Sequence, residues 1–377
     1  MKGLAITSKG VEETASLEIK ELINADCKIS ECCVVFEFNK FEDLCLLCYK
    51  AQSVDRIIYL IGSFEFREFP LEFEKFIEKK DFDEWIGKNK NFKVECVRIG
   101  KHEFKSVDAE SKATGIILEK YKNNKIKFNI KGWDIIFFIC IVDNKCYFGV
   151  DFAGFELNKR AYKIYLHPNS LRGTIAYALV RASKLKKKGI MMDAFSRDGI
   201  IPIEAAFYSN DFPVNYYKKD RFAFLKLDLG VDFEKFFRDI DRKIAKRPNS
   251  EIYAFDHLFK FVDFSRKNAK IAGVEKLLNF GRTELEWLDL KFKKESVDRI
   301  ITNPPESKNA NLDKIYNEFF YQGEYILKKN GSITIITRMP DFVKKHAERH
   351  NFVPASEKIV QSGEQPLNII LFKKKSI

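Results

Sequence analysis

Apolar and polar positions follow two rhythms along the chain, and their succession predicts mixed helices and strands throughout. Near the N-terminus "GVEETASLEIKELI" repeats its apolar residues at helical spacing, while "CCVVFEFN" is a β-branched and aromatic run that predicts a strand. "FEDLCLLCYKAQSV" predicts a second helix and "RIIYLIGSFEF" a second strand, so residues 1–65 read as a small βα sheet. A further α/β unit follows at 66–162, with a helix over "PLEFEKFIEKKDFDEWIG", the strand "NFKVECVRIG", the helix "VDAESKATGIILEKY" and the strands "KIKFNI", "DIIFFICIV" and "KCYFGVDFAG".

In "YLHPNSLRGTIAYALVRASKL", Pro168 and Asn169 signal a helix start near Ser170 or Leu171, within a linker and first helix at 163–188. From 189 to 377 strands and helices alternate: "GIMMDAF", "IPIEAAFYS", "DFEKFFRDIDRKIAKR", "EIYAFD", "KFVDFSRKNAKIAG", "KLLNFGR", "VDRIITNPP", "LDKIYNEFFYQGEYIL", "GSITIITR", "DFVKKHAERH", "NIILFKKK". That alternation predicts an α/β domain with a doubly wound, mostly parallel sheet, whose ligand site lies beyond the C-terminal strand ends.

Composition narrows the picture only modestly. At 377 residues and 45% hydrophobic the chain can hold several packed cores, and no apolar run reaches the ~18–20 residues of a membrane helix, so a cytoplasmic protein is expected. Its formal charge of +12 favours a polyanionic partner. All eight cysteines precede residue 150, which disfavours a cysteine nucleophile in the last domain. Cys45 and Cys48 form a C-x-x-C inside an apolar helix without a second ligand pair, so buried thiols rather than a metal site are expected.

The phrases "VRIGKHEFKS", "KATGIILEKY" and "DFAGFELNKRAY" resemble the THUMP RNA-binding domain, placed at 66–162 after a ferredoxin-like unit at 1–65. "DAFSRDGIIPIEAA", residues 193–206, is similar to the phrase D-P-F-C-G-S-G-T-I-x-I-E-A-A of Rossmann-like S-adenosylmethionine (SAM) methyltransferases linked to THUMP, matching at Asp193, Phe195, Gly199, Ile201, Ile203, Glu204, Ala205 and Ala206. Together with "NPP" at 303–305, the chain resembles the THUMP-containing tRNA guanine-N2 methyltransferases of archaea and bacteria.

That resemblance implies SAM as cofactor, tRNA bound through its acceptor stem and 3′ end, and N2-methylguanosine as product, at position 6 or 67 of the acceptor stem, with position 10 an alternative. A monomer is expected. Asp193, Phe195, Arg197 and Gly199 would form the cofactor turn, Asp256 would meet the ribose, and Thr283 and Glu284 would lie near the adenine. Arg98, Lys101, His102, Lys105, Lys112, Lys159 and Arg160 are candidates for a grip on tRNA phosphates.

An amino group on a base is a poor nucleophile until acceptors hold its N–H bonds and aim the nitrogen lone pair at the methyl group. The Asn303 side-chain oxygen and the Pro304 carbonyl can do this, with Pro305 stiffening the turn. No metal is required.

Two departures are evident. Arg197 stands where the family has its first glycine, at a position where positive φ is costly, and its side chain must either reach the methionine carboxylate or fill the pocket. Glu306 replaces an aromatic that would stack on the base; it could bind the guanine edge, or Phe319, Phe320 or Tyr321 could supply the ring. A catalytically impaired tRNA-binding paralogue is the alternative function, and a methyltransferase for adenine or for protein glutamine is a third.

Overall fold

The computed structural model describes all residues except 70, 88–89, 246–249, 308–310, 364 and 376–377. The chain divides into two compact units, neither of them continuous in sequence. The first comprises Met1–Thr7, Ala15–Leu157 and Asn215–Asp239, and the second Ser8–Thr14, Asn158–Val214 and Ile240–Ile377.

The first unit is built on one eight-stranded sheet. Its strands are β1 (Lys2–Ile6), β2 (Cys27–Ser30), β3 (Cys33–Glu37), β4 (Arg56–Glu65), β5 (Asn91–Ile99), β6 (Lys127–Phe128), β7 (Ile135–Val142) and β8 (Lys145–Asp151), in the order β2-β3-β1-β4-β8-β7-β5-β6. The two sheets anticipated for 1–65 and 66–162 are therefore one, joined where β4 pairs antiparallel with β8 from Ile58 opposite Asp151 to Glu65 opposite Lys145. The helix anticipated over 70–87 is broken in two, Leu71–Lys79 and Asp83–Ile86, with Asp81 accepting from the Asp83 amide at the second start. Cys45 and Cys48 lie buried on the helix Phe41–Lys50, and burial pushes both thiols well above their ordinary range.

The later segment Asn215–Asp239 also belongs to the first unit. Ala223 and Phe224 amides donate to the carbonyls of Ala153 and Phe152, and Asn215 Nδ2 donates to the Cys48 carbonyl at 2.9 Å. The helix Phe233–Asp241 follows, its Phe237 ring 4.9 Å from that of Tyr49. Residues 246–247 of the anticipated longer helix lie outside the described residues.

The second unit carries a seven-stranded sheet of β9 (Gly189–Asp193), β10 (Ser250–Asp256), β11 (Leu278–Arg282), β12 (Val297–Thr302), β13 (Leu327–Thr337), β14 (Phe352–Ser362) and β15 (Gln365–Lys374). Its order is β11-β10-β9-β12-β13-β15-β14, parallel from β11 to β13, with β15 antiparallel between β13 and β14. Successive side chains on β9 serve opposite faces. Met191 packs in a core with the helices Gly173–Ala182, Ile200–Ser209 and Phe259–Ala272, and Met192 in another with Leu312–Ile326 and Pro340–Arg349. Helices thus cover both sides of the sheet, and the strand order reverses at β9, between β10 and β12.

Candidate active site

The site forms where the C-terminal ends of β9, β10 and β12 come together. Asp193 ends β9 and is fully buried; its Oδ1 accepts from the Phe195 amide at 3.1 Å and from Thr302 Oγ1, at the end of β12, at 2.6 Å. Its Oδ2 has no partner among the described residues, and burial pushes its pKa up to about 7.

After Asp193 the chain turns tightly. The Gly199 amide donates to the Ser196 carbonyl at 2.7 Å, and Gly199, at φ +80°, leads into the helix Ile200–Ser209. A Cβ at Gly199 would overlap Ser265 of the neighbouring helix, so this glycine serves close approach as well as conformation.

Arg197 takes φ +51°, the backbone conformation that the sequence made costly. The structure holds it there from both ends. Its amide donates to Asp256 Oδ2 at 3.0 Å, while its guanidinium donates from Nη1 to the Asn169 carbonyl at 3.2 Å and from Nη2 to the Pro304 carbonyl at 2.9 Å. The side chain is buried and lies between the cofactor turn and the Asn-Pro-Pro segment. Burial lowers its pKa, opposed by the carboxylates of Asp193, Asp256 and Asp198.

Asp256 ends β10 and also accepts from the Leu258 amide through Oδ1 at 3.0 Å. Beside it opens a pocket of about 180 Å³ lined in part by Ala194, Phe195, Thr283, Glu284, Leu285 and Pro305. Thr283 Oγ1 is buried there without a partner among the described residues. Apolar walls, one buried hydroxyl and a flanking carboxylate are features a nucleoside can use. Arg197 does not line this pocket.

Asn303 follows β12, and its Nδ2 comes within 3.5 Å of the Asn169 carbonyl, the outer limit of a hydrogen bond. Its Oδ1 accepts from no group among the described residues. Beneath the turn the buried Tyr316 hydroxyl donates to the Pro305 carbonyl at 3.4 Å. Glu306 does not face outward as a guanine reader. Its Oε1 accepts from Thr337 Oγ1 and the Arg338 amide, both at 2.6 Å, and Oε2 accepts from Arg338 Nη1 at 3.2 Å. It braces the turn against the end of β13.

The substitute rings also fail. Phe319 and Phe320 are buried in the core, and Tyr321, though exposed, pairs with His350.

Among the candidate phosphate contacts, Arg98, Lys101, His102, Lys105 and Lys112 fall in the first unit, and Lys159 and Arg160 in the second. Lys101, Lys105 and Lys112 are exposed, whereas the Arg98 guanidinium lies over Phe104 and His102 Nε2 meets the Asp143 carbonyl at 2.6 Å. Arg160 must be withdrawn from the set. It is buried and paired with Glu204 through Nε at 2.7 Å and Nη2 at 3.1 Å, with Tyr162 donating to the same carboxylate at 2.6 Å.

Three further residues take roles that only contacts between distant parts of the chain reveal. Thr302 ties β12 to β9. Asn169, read from the sequence as a helix-start signal, lends its carbonyl to Arg197, while the helix itself begins at Gly173. Asn268, fully buried, donates to the Asp198 and Tyr165 carbonyls and accepts from the Ile164 and Tyr165 amides, clamping the linker to the turn.

Comparisons with known proteins bear on the family and the fold. The family model for the RMKL-like methyltransferase domain matches residues 160–366, and that for the THUMP domain matches 72–151. The tRNA (guanine(6)-N2)-methyltransferase of Methanocaldococcus jannaschii is 27% identical over 326 residues, 84% of either chain. Its counterpart in Archaeoglobus fulgidus is 24% identical over 383 residues, covering 98% of this chain and 91% of the relative. In fold, the chain superposes on SMU.472, crystallised with S-adenosylhomocysteine (SAH), with a TM-score of 0.84 at 20% identity, covering 100% of this chain and 98% of that one. For TrmN from Thermus thermophilus the TM-score is 0.72 at 20% identity, with 99% of both chains covered.

Proposed function

Because the chain belongs to the RMKL-like methyltransferase domain family, we propose that it is a SAM-dependent tRNA methyltransferase that forms N2-methylguanosine in the acceptor stem, at guanosine 6. The archaeal relatives named for that reaction support the choice of nucleotide over position 67. The observation that carries the reading is the convergence of Asp193, Asp256 and the Asn303–Pro304 acceptors at the strand ends where the sheet order reverses.

When bound, SAM supplies an electrophilic methyl on a sulfonium; the guanine N2 forms the new bond, the sulfur keeps the electrons of the broken one, and a proton leaves the nitrogen. The protein's own part is positioning. Asn303 Oδ1 and the Pro304 carbonyl accept the two N–H bonds of the amino group, which turns the nitrogen lone pair away from them. Tyr316 from below and Glu306 from the side fix the turn carrying both acceptors. Asp256 accepts from the ribose, and Thr283 with Glu284 takes the adenine edge. The THUMP-bearing unit contributes the phosphate grip through exposed Lys101, Lys105 and Lys112. The protein acts in the cytoplasm as a monomer.

A second reading, a tRNA holder without turnover, is favoured by one contact: Arg197 Nη2 already occupies the Pro304 carbonyl. Incubation of the purified protein with SAM and tRNA transcripts, followed by nucleoside mass spectrometry, separates the two. N2-methylguanosine should appear, and should vanish when guanosine 6 is replaced by adenosine. Product that survives this replacement but disappears on changing position 67 moves the site across the stem, and no product with any tRNA leaves the holder.

A further inference from the structure

The Arg197 fork makes an unusual choice of partners. Carboxylates of Asp193, Asp198, Asp256 and Glu306 all act on it electrostatically, yet among the described residues it forms no ion pair, and its two side-chain hydrogen bonds go to carbonyl oxygens of Asn169 and Pro304. Each carbonyl is a neutral acceptor that meets one nitrogen, whereas a carboxylate brings the opposite charge and can take two nitrogens of the fork in parallel, which adds energy as well as geometric fit. The present arrangement therefore yields readily to a carboxylate that can approach both nitrogens. One of the two carbonyls it holds, that of Pro304, is also an acceptor assigned to the base.

We propose that Arg197 is a latch on the acceptor site, closing the Pro304 carbonyl until its fork moves onto the methionine carboxylate of the donor. This rests on the donor and acceptor roles proposed above. The charges are complementary: the donor carries a sulfonium, an ammonium and one carboxylate, and the site offers several carboxylates around a single guanidinium. Once the fork has moved, Pro304 is open to the base amino group, so the RNA base enters its final position only after the donor. Arg197 is then a positioning residue that couples the two substrates. Its backbone is already fixed by the hydrogen bond from its amide to Asp256 Oδ2, so the side chain can swing without disturbing the turn.

The test uses the full chain and two nucleosides, SAH and its decarboxylated analogue, which keeps the adenosine, the sulfur and the amine. Calorimetry should show SAH binding about tenfold or more tighter than the analogue, the size of one good charged contact. Arg197→Met should bring the two affinities within about twofold of each other, chiefly through loss of SAH affinity, whereas a merely structural role would weaken both nucleosides alike and keep their ratio. Arg197→Gly, which suits the positive φ of this position, should behave as the Met variant and guards against misfolding. In crystals, SAH should draw Nη2 of Arg197 out of hydrogen-bond reach of the Pro304 carbonyl, and the analogue should leave it in place. Equal affinity of the wild-type protein for both nucleosides, or a guanidinium still on Pro304 with SAH bound, overturns the latch and leaves the donor reading standing. If neither nucleoside binds, the donor reading falls and the latch falls with it.

Discussion

Asp193 and Thr302 stand 109 residues apart in sequence and meet at 2.6 Å, the threonine hydroxyl donating to Oδ1 of the carboxylate. This bond pins together the two strand ends that carry the cofactor turn and the Asn-Pro-Pro turn. The other oxygen of Asp193 has no partner among the described residues, and burial has pushed the group to about 7.

The pH dependence of stability follows. The folded protein binds the Asp193 proton more readily than the unfolded chain does, so this group's stabilisation is fully present below about pH 4 and is lost as pH rises toward 7. Asp193→Asn removes the titration but keeps an oxygen for Thr302 and Phe195. In ligand-free protein, the difference in urea midpoint between variant and wild type should therefore shift in favour of Asn between about pH 5 and pH 8. A difference that stays flat across that range contradicts the assignment.

Asn303→Ala should separate binding from chemistry. Among the described residues its one side-chain hydrogen bond is to the Asn169 carbonyl, at a marginal 3.5 Å, and it does not line the pocket beside Phe195 and Thr283, so its loss leaves that pocket intact. Affinity for SAH should hold, while kcat should fall at least about a hundredfold, the usual cost of a misaligned reactant. Transfer that survives unchanged in this variant removes Asn303 from the chemistry.

Asp256 carries two tasks, and its variants should show both. Asp256→Ala leaves the Arg197 and Leu258 amides without their acceptor and removes the ribose partner. Calorimetry should detect no SAH binding, and the loop should become more open to protease. Asp256→Asn keeps an acceptor for only one of the two amides and sets its NH2 against the other, so it should weaken binding and loosen the loop, but less than the Ala variant does.

Glu204→Ala tests the correction made for Arg160. A guanidinium left buried without its carboxylate costs about 3–5 kcal/mol, far more than a surface pair. The denaturant midpoint should drop accordingly. Arg160→Ala should likewise act through stability, and at a temperature where the variant is folded its affinity for RNA should match that of the wild type.

The sequence made the second unit's parallel strands legible because they are buried on both faces and read as unbroken runs, as in "RIIT" and "SITIIT". β14 was missed for the opposite reason. It is an edge strand, mostly exposed, with Pro354 at a shift of register next to Ser356, features that read as loop in one dimension. β1 and β2 are short, and β2 lies at a sheet edge. The places of Asp193, Gly199 and Asn303 at strand ends and turns were readable, since the motif phrases fix where strand gives way to turn. Asn169, Asn268 and Thr302 were not, because their roles depend on partners from distant parts of the chain. Arg197 shows the limit most clearly: its backbone cost could be read from its residue type, but the three oxygens that hold it could not.

Residues 215–239 complete the first unit although they are encoded after the beginning of the second. During synthesis the N-terminal half emerges with Phe152, Ala153 and the Cys48 carbonyl still lacking their later partners, and it can close only when the segment through Asp239 has left the ribosome. A fragment ending near residue 162 would keep that deficiency permanently, so a recombinant THUMP-bearing half needs residues 215–239 grafted back, not simply a stop codon.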